Sequence, residues 1–137
     1  MTIVKKAVSA FSVLALVACA SMAGKKVDVM LSGAEEVPPV STAARGTGSF
    51  TIADDGAVSG SVTTTGVAGT MAHIHMAARG QNGAVIVPLT KSGDTYAAPA
   101  GAKLNEAQMA AFKAGNLYVN VHSAANKGGE VRGQLNP

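Results

Sequence analysis

Aromatic residues are scarce in this 137-residue chain, with three phenylalanines, two tyrosines and no tryptophan. An aromatic ladder for stacking nucleic-acid bases is excluded, and no basic run offers an electrostatic substitute. Cysteine is scarcer still. Cys19 is the only one, so no internal disulfide can form and the fold must rest on its core alone. Paired carboxylates, a phosphate-binding glycine loop and a nucleophile–base constellation are all missing. Asp54-Asp55-Gly56 is a hairpin turn with nothing of a calcium loop around it. Histidine numbers only three, yet two of these, His73 and His75, stand one residue apart in MAHIHMAARGQNGAVIVPL.

Long apolar runs are missing too. The stretch AVSAFSVLALVA, which follows Lys5 and Lys6, is too short to span a membrane and has the length of a signal-peptide core. It ends in Leu16-Val17-Ala18-Cys19, a bacterial lipobox. Residues 1–18 are therefore expected to be a signal peptide, with Cys19 acylated as the mature N-terminus, residues 19–26 a short tether and residues 27–137 the folded domain. Ordinary cleavage after Ser21-Met22-Ala23 is the alternative. Ala20 gives no inner-membrane retention signal, so the expected location is periplasmic, lipid-anchored to the outer membrane. The formal charge of +3 shrinks on processing to nine bases against eight acids. A nucleic-acid partner is not expected.

Beyond residue 26, short apolar segments alternate with Gly, Asp, Asn and Pro clusters. Strands are predicted over 27–31, 47–52, 57–65, 71–77, 84–89, 94–97, 117–122 and 131–135, with hairpin turns at 53–56 and 79–83. Pro38-Pro39 keeps residues 32–46 out of any central strand. One helix is predicted, opened by Asn105 as N-cap with Gln108 completing a capping box and closed at Gly115. Seven or eight short strands at this spacing imply an all-β fold, an antiparallel β-sandwich of Greek-key, superoxide dismutase- or immunoglobulin-like type, with one short helix.

Side chains alternate across a strand, which assigns faces. Met71, His73 and His75 share one face of their strand. Tyr118, Asn120 and His122 lie opposite the apolar Leu117, Val119 and Val121. Glu130, Arg132 and Gln134 lie opposite Val131 and Leu135. Every histidine thus falls on the side away from the core, either as plain surface residues or as a three-imidazole metal site. Neutral imidazole suits copper and zinc, and copper binds more tightly by the general affinity order. Met71 has the parity to add a thioether, whereas Met76 does not. Asn120, Glu130, Arg132 and Gln134 are expected either to brace the imidazoles from behind or to form a solvated polar face with a surface Glu130–Arg132 pair.

Three segments, LSGAEEVPPVSTAARGTGSF, AHIHMAARGQNGAVIVPL and AGNLYVNVHSAANKGGEVRGQL, resemble the CHRD (chordin) domain family over roughly residues 28–136. The H-x-H, the Y-V-N-V-H and the G-G-E-x-R-G-Q fall in that family's order. Met76 stands where the family often has Gly, and Lys127 where it often has Pro. The family occurs in animal chordins and in short exported bacterial proteins whose molecular functions are mostly undefined. In arrangement more than in sequence, the chain is also similar to copper/zinc superoxide dismutases, although the zinc half and the copper site's fourth imidazole are absent. These resemblances favour an exported copper-binding protein using His73, His75 and His122, with copper ion or a copper-handling protein as partner. A metal-free envelope interaction module is the alternative, and a dismutase-type redox enzyme ranks last because of the missing imidazole.

The lipobox makes a direct prediction. Radiolabelled palmitate should enter the wild type and not Cys19→Ser; equal labelling of both, or of neither, rules out the lipoprotein reading.

Overall fold

A computed structural model of the chain describes residues 23–137, so the expected signal segment and Cys19 lie outside the described residues. Its elements are β1 (Gly24–Ser32), β2 (Arg45–Ala53), β3 (Val58–Thr65), β4 (Gly69–Met76), β5 (Ala84–Pro88), β6 (Thr90–Ser92), β7 (Thr95–Ala97), α1 (Glu106–Lys113), β8 (Leu117–Ser123) and β9 (Val131–Leu135). Every ladder is antiparallel, and the strand order is β5-β4-β8-β9-β1-β2-β3-β7-β6. β1 starts at Gly24, ahead of the Val27 expected. β6 is the strand that was not expected. All three of its residues are exposed, so they carry no apolar alternation to betray it.

Two thin places in that order turn one sheet into two layers. β9 and β1 share a single ladder pair, Ser32 with Arg132. β5 and β6 stand at opposite ends of the order, yet Leu89 alone separates them in the chain. The Leu89 N–H donates to the Ala72 carbonyl at 3.0 Å, which carries the β4–β5 pairing up to the point where the chain passes into β6. The result is a nearly closed β-sandwich in which β5-β4-β8-β9 faces β1-β2-β3-β7-β6. The connections from β3 to β4 and from β7 to β8 cross over intervening strands, as in a Greek key.

The helix forms as its ends dictate. Asn105 accepts from the Gln108 N–H while the Gln108 side chain accepts from the Asn105 N–H, both at 2.9 Å. Gly115, at φ +74°, ends it with a bond to Phe112 and a second from Asn116 to Ala111. Phe112 and Leu104 close one end of the core.

Between the layers, Ile74, Val119, Val121, Val131 and Leu135 are fully buried, as alternation requires. The other face of β8 and β9 is also buried, residue by residue. A solvated polar face is therefore not what this chain builds. Residues 33–44 and 77–83 fold over that face and are tied to each other and to the strands beneath. Asn82 Nδ2 donates to the Val37 carbonyl at 2.9 Å, Arg79 pairs with Glu35, and Thr42 Oγ1 donates to Glu130 at 2.9 Å. The molecule thus has a polar second interior beside its apolar first one. Among the described residues, no helix is long and apolar enough to cross a membrane.

Truncating Val119 or Val121 to Ala should destabilise the fold by about 1–3 kcal/mol, through lost apolar burial and the cavity left behind. Urea unfolding measures this directly. A loss below half a kilocalorie at both positions would contradict their place at the centre of the core.

Candidate metal centre

The pairing of β4 with β8 assembles the histidines. Met71 stands opposite His122, His73 opposite Asn120 and His75 opposite Tyr118. Opposed residues of an antiparallel pair share a face, so all six project to the side on which the loops lie, with Met71 at its exposed margin. The distant His122 is delivered by the neighbouring strand. One ligand nitrogen from each of His73, His75 and His122 lies within 4.8 Å of the other two. His73 Nδ1 and His122 Nε2 are 3.1 Å apart.

Backbone carbonyls set which nitrogen each ring presents. His75 Nδ1 donates to the Gly83 carbonyl at 2.9 Å, and His122 Nδ1 donates to the Lys127 carbonyl at 2.8 Å. With the proton held at Nδ1, each ring turns an Nε2 lone pair inwards. His122 Nε2 accepts from His73 Nδ1. His75 Nε2 is buried and makes no hydrogen bond of ordinary geometry. A buried lone pair without a donor is costly unless something answers it. Burial pushes the His73 and His75 imidazoles below their ordinary pKa, and the neighbouring imidazoles add to the effect. Both rings are therefore neutral at neutral pH, the form that binds a metal.

The donor set fits a borderline or soft transition ion. It is three neutral nitrogens with no carboxylate, which excludes the oxygen-loving calcium and magnesium. At metal–nitrogen distances near 2.0–2.1 Å, two tetrahedral ligands sit about 3.3 Å apart, so gathering the three nitrogens needs ring shifts under about 1 Å. Of the three imidazoles, that of His122 lines an open cleft of about 370 Å³, together with Thr70, Met71, Ser123, Ala124 and Lys127. A larger cleft of about 560 Å³, between Pro38–Pro39 and Asn126, contains none of the three imidazoles and takes no part in the centre.

Of the residues expected to brace the imidazoles, Asn120 alone faces one, lying beside His75 without a bond of ordinary geometry. Glu130 binds Ser123 and Thr42 and forms no pair with Arg132. Gln134 donates to the Ala77 and Gly115 carbonyls, each at 2.9 Å. Arg132 is 1% exposed; it donates to the carbonyls of Gln81 and Ala78 and to Asn82, and its guanidinium carbon sits 3.4 Å from the centre of the Tyr118 ring. On its other side Tyr118 stacks on His75, with centroids 4.8 Å apart and planes 2° from parallel. Met71 is half-exposed at the cleft, opposite His122.

Sequence reasoning passed over Glu36 and Tyr118. Tyr118 shares the face of Asn120 and His122, and that parity was the available signal. Glu36 sits in a proline-bearing loop that gives none. Its carboxyl is buried against Asn120 and Arg132, with Oε1 unpartnered, and burial raises its pKa to about 7 against the pull of Arg132. Gly129, at φ +127°, closes over this pair, and a Cβ there would meet both the Glu36 carboxyl and Asn120 Nδ2.

Fold and cluster together define a β-sandwich protein with a three-histidine cluster placed where it could hold a metal ion. A family model for the CHRD domain matches residues 27–135, and the chain belongs to that family. No curated protein and no solved structure matches it.

Glu36 supplies a pH test of this buried polar layer. Between about pH 4.5 and 7 the folded state keeps a carboxyl proton that the unfolded chain releases, so this group's contribution to stability falls as pH rises through that window. His73 and His75 act with the opposite sign, costing stability as pH drops below about 6.5, where unfolded imidazoles take up protons. Glu36→Gln leaves the histidines in place and removes only the first effect. Its stability relative to wild type, from urea unfolding, should rise between about pH 5 and about pH 8. A difference that stays flat across that range would contradict the buried carboxyl.

Proposed function

We propose that this CHRD-domain chain is an exported copper-binding protein that buffers or delivers copper in the periplasm, with His73, His75 and His122 as its ligands. The observation that carries the reading is the buried, partnerless Nε2 of His75, facing a nitrogen pair that is 3.1 Å apart. A metal-free interaction module gives that lone pair no purpose and leaves its burial uncompensated. Copper is favoured over zinc by the affinity order for nitrogen donors. In this reading the lipobox at Cys19 tethers the domain to the outer membrane, and a copper-handling protein supplies or receives the ion.

The ligands come together only in the folded chain, so binding must add to stability. Copper in excess, at roughly 100 times its dissociation constant, should raise unfolding stability by about 2.7 kcal/mol. Affinity should fall on acidification, at a pH below the ordinary imidazole value because burial holds His73 and His75 down, since a protonated imidazole cannot ligate. Calorimetric titration with Cu(II) tests the ligand set. His122→Ala should weaken binding at least tenfold, and equal binding by wild type and His122→Ala would falsify the three-histidine centre.

A further inference from the structure

We propose that the centre takes its copper as Cu(I) and that Met71 is the ligand through which the ion arrives and leaves; this rests on the copper reading above.

The charge balance comes first. All three ligands are neutral, so the net charge of a loaded centre is that of the ion itself. Two of the imidazoles, His75 and His122, are only 7% and 8% exposed. The cost of moving an ion out of water grows with the square of its charge, which favours a singly charged ion over a doubly charged one. Arg132 adds to this bias. Its guanidinium lies directly behind the Tyr118 ring that stacks on His75, and its hydrogen bonds all go to neutral oxygens. Glu36, the acid facing it, is raised to about 7 and cancels only part of that charge at neutral pH. A fixed positive charge behind the ligand repels Cu(II) more than Cu(I).

The route comes second. Met71 is 51% exposed and stands directly across the ladder from His122, and both residues line the same cleft of about 370 Å³. A thioether is a soft donor, well matched to Cu(I) and poorly matched to Cu(II) or Zn(II). Its three flexible torsions let it follow an ion from the cleft to the imidazoles. The His122 ring beside it is already aimed inwards by the Lys127 carbonyl, so an ion held at Met71 has a preset acceptor. No redox step is involved, because the copper arrives reduced.

The test uses purified protein under anaerobic conditions. Cu(I) is exchanged against the chelator bicinchoninate, and Cu(II) affinity is measured separately, for wild type and Met71→Leu. Leucine keeps the bulk and apolarity of the side chain and removes the sulfur. The reduction potential of bound copper should lie above that of the aqueous couple, which is the signature of tighter Cu(I) binding. Met71→Leu should slow Cu(I) loading and release on the order of tenfold, as expected for one lost ligand contact, and affect Cu(II) less than Cu(I) because a thioether is poorly matched to the divalent ion. Copper bound with a preference for Cu(II), or Cu(I) exchange as fast in Met71→Leu as in wild type, overturns this inference and leaves the copper reading standing. If wild type holds neither oxidation state, the copper reading falls and this inference falls with it.

Discussion

The arrangement of the histidine layer depends on one buried cation. Arg132 lies 1% exposed in a short strand, and an isolated charge removed from water costs several kcal/mol unless its donors are answered. The loop 77–83 answers them with the carbonyls of Ala78 and Gln81 and the side chain of Asn82. Tyr118 covers the flat face of the guanidinium, a contact worth about 1–2 kcal/mol when desolvated. The loop is thereby held in a single conformation. Its last residue, Gly83, then presents the carbonyl that fixes His75 and donates its N–H to the Tyr118 hydroxyl at 3.2 Å. Arg132 thus acts on the imidazole at second hand, by fixing both the loop and the ring that stacks on it.

The same contacts explain why this face of the sheet can be polar and buried at once. A sheet face in water needs no partners, but one closed over by loops must pair nearly every donor and acceptor. Gln134, Glu130 and Ser123 meet that demand with loop carbonyls and hydroxyls. The unpartnered atoms among the described residues are few, and three of the four, on Glu36, His75 and Asn120, lie in this layer. The open imidazole lone pair of His75 lies within the three-histidine cluster, where a metal ion could be held.

Strand alternation reads one property of a sequence, the side of the sheet on which each residue falls. It therefore placed Ile74, Val119, Val121 and Leu135 in the core and grouped the three histidines on one face. It carries no information about what folds over a face from outside. Residues 79–83 read as a hairpin turn and residues 32–46 as a proline-bearing loop; the second is too long at both ends, since Ser32 closes β1 and Arg45 and Gly46 open β2. Their role as a third layer arises from Arg132, Thr42 and Asn82 acting across intervals of tens of residues, which no local pattern encodes. Hence a solvated face was the reading open to the sequence, and burial of Arg132 and Gln134 was not. Glu36 was invisible for the same reason, being a loop carboxyl whose surroundings come from Gly129 and Asn120.

The imidazoles also show how ring orientation can be held by backbone. His75 and His122 are both oriented by carbonyls, at Gly83 and Lys127. Lys127 contributes only its backbone carbonyl to this bond, so no property of its side chain enters the bond itself. Gly83 is different. A Cβ there would run into the Met76 carbonyl and come within 2.8 Å of the Ala77 Cβ, pushing the loop away from the strand it must touch. At Lys127 the bond uses the backbone alone, whereas at Gly83 the backbone also leaves no room for a Cβ. That contrast follows from packing alone, and it separates the residue whose identity matters at each ring from the one whose backbone does.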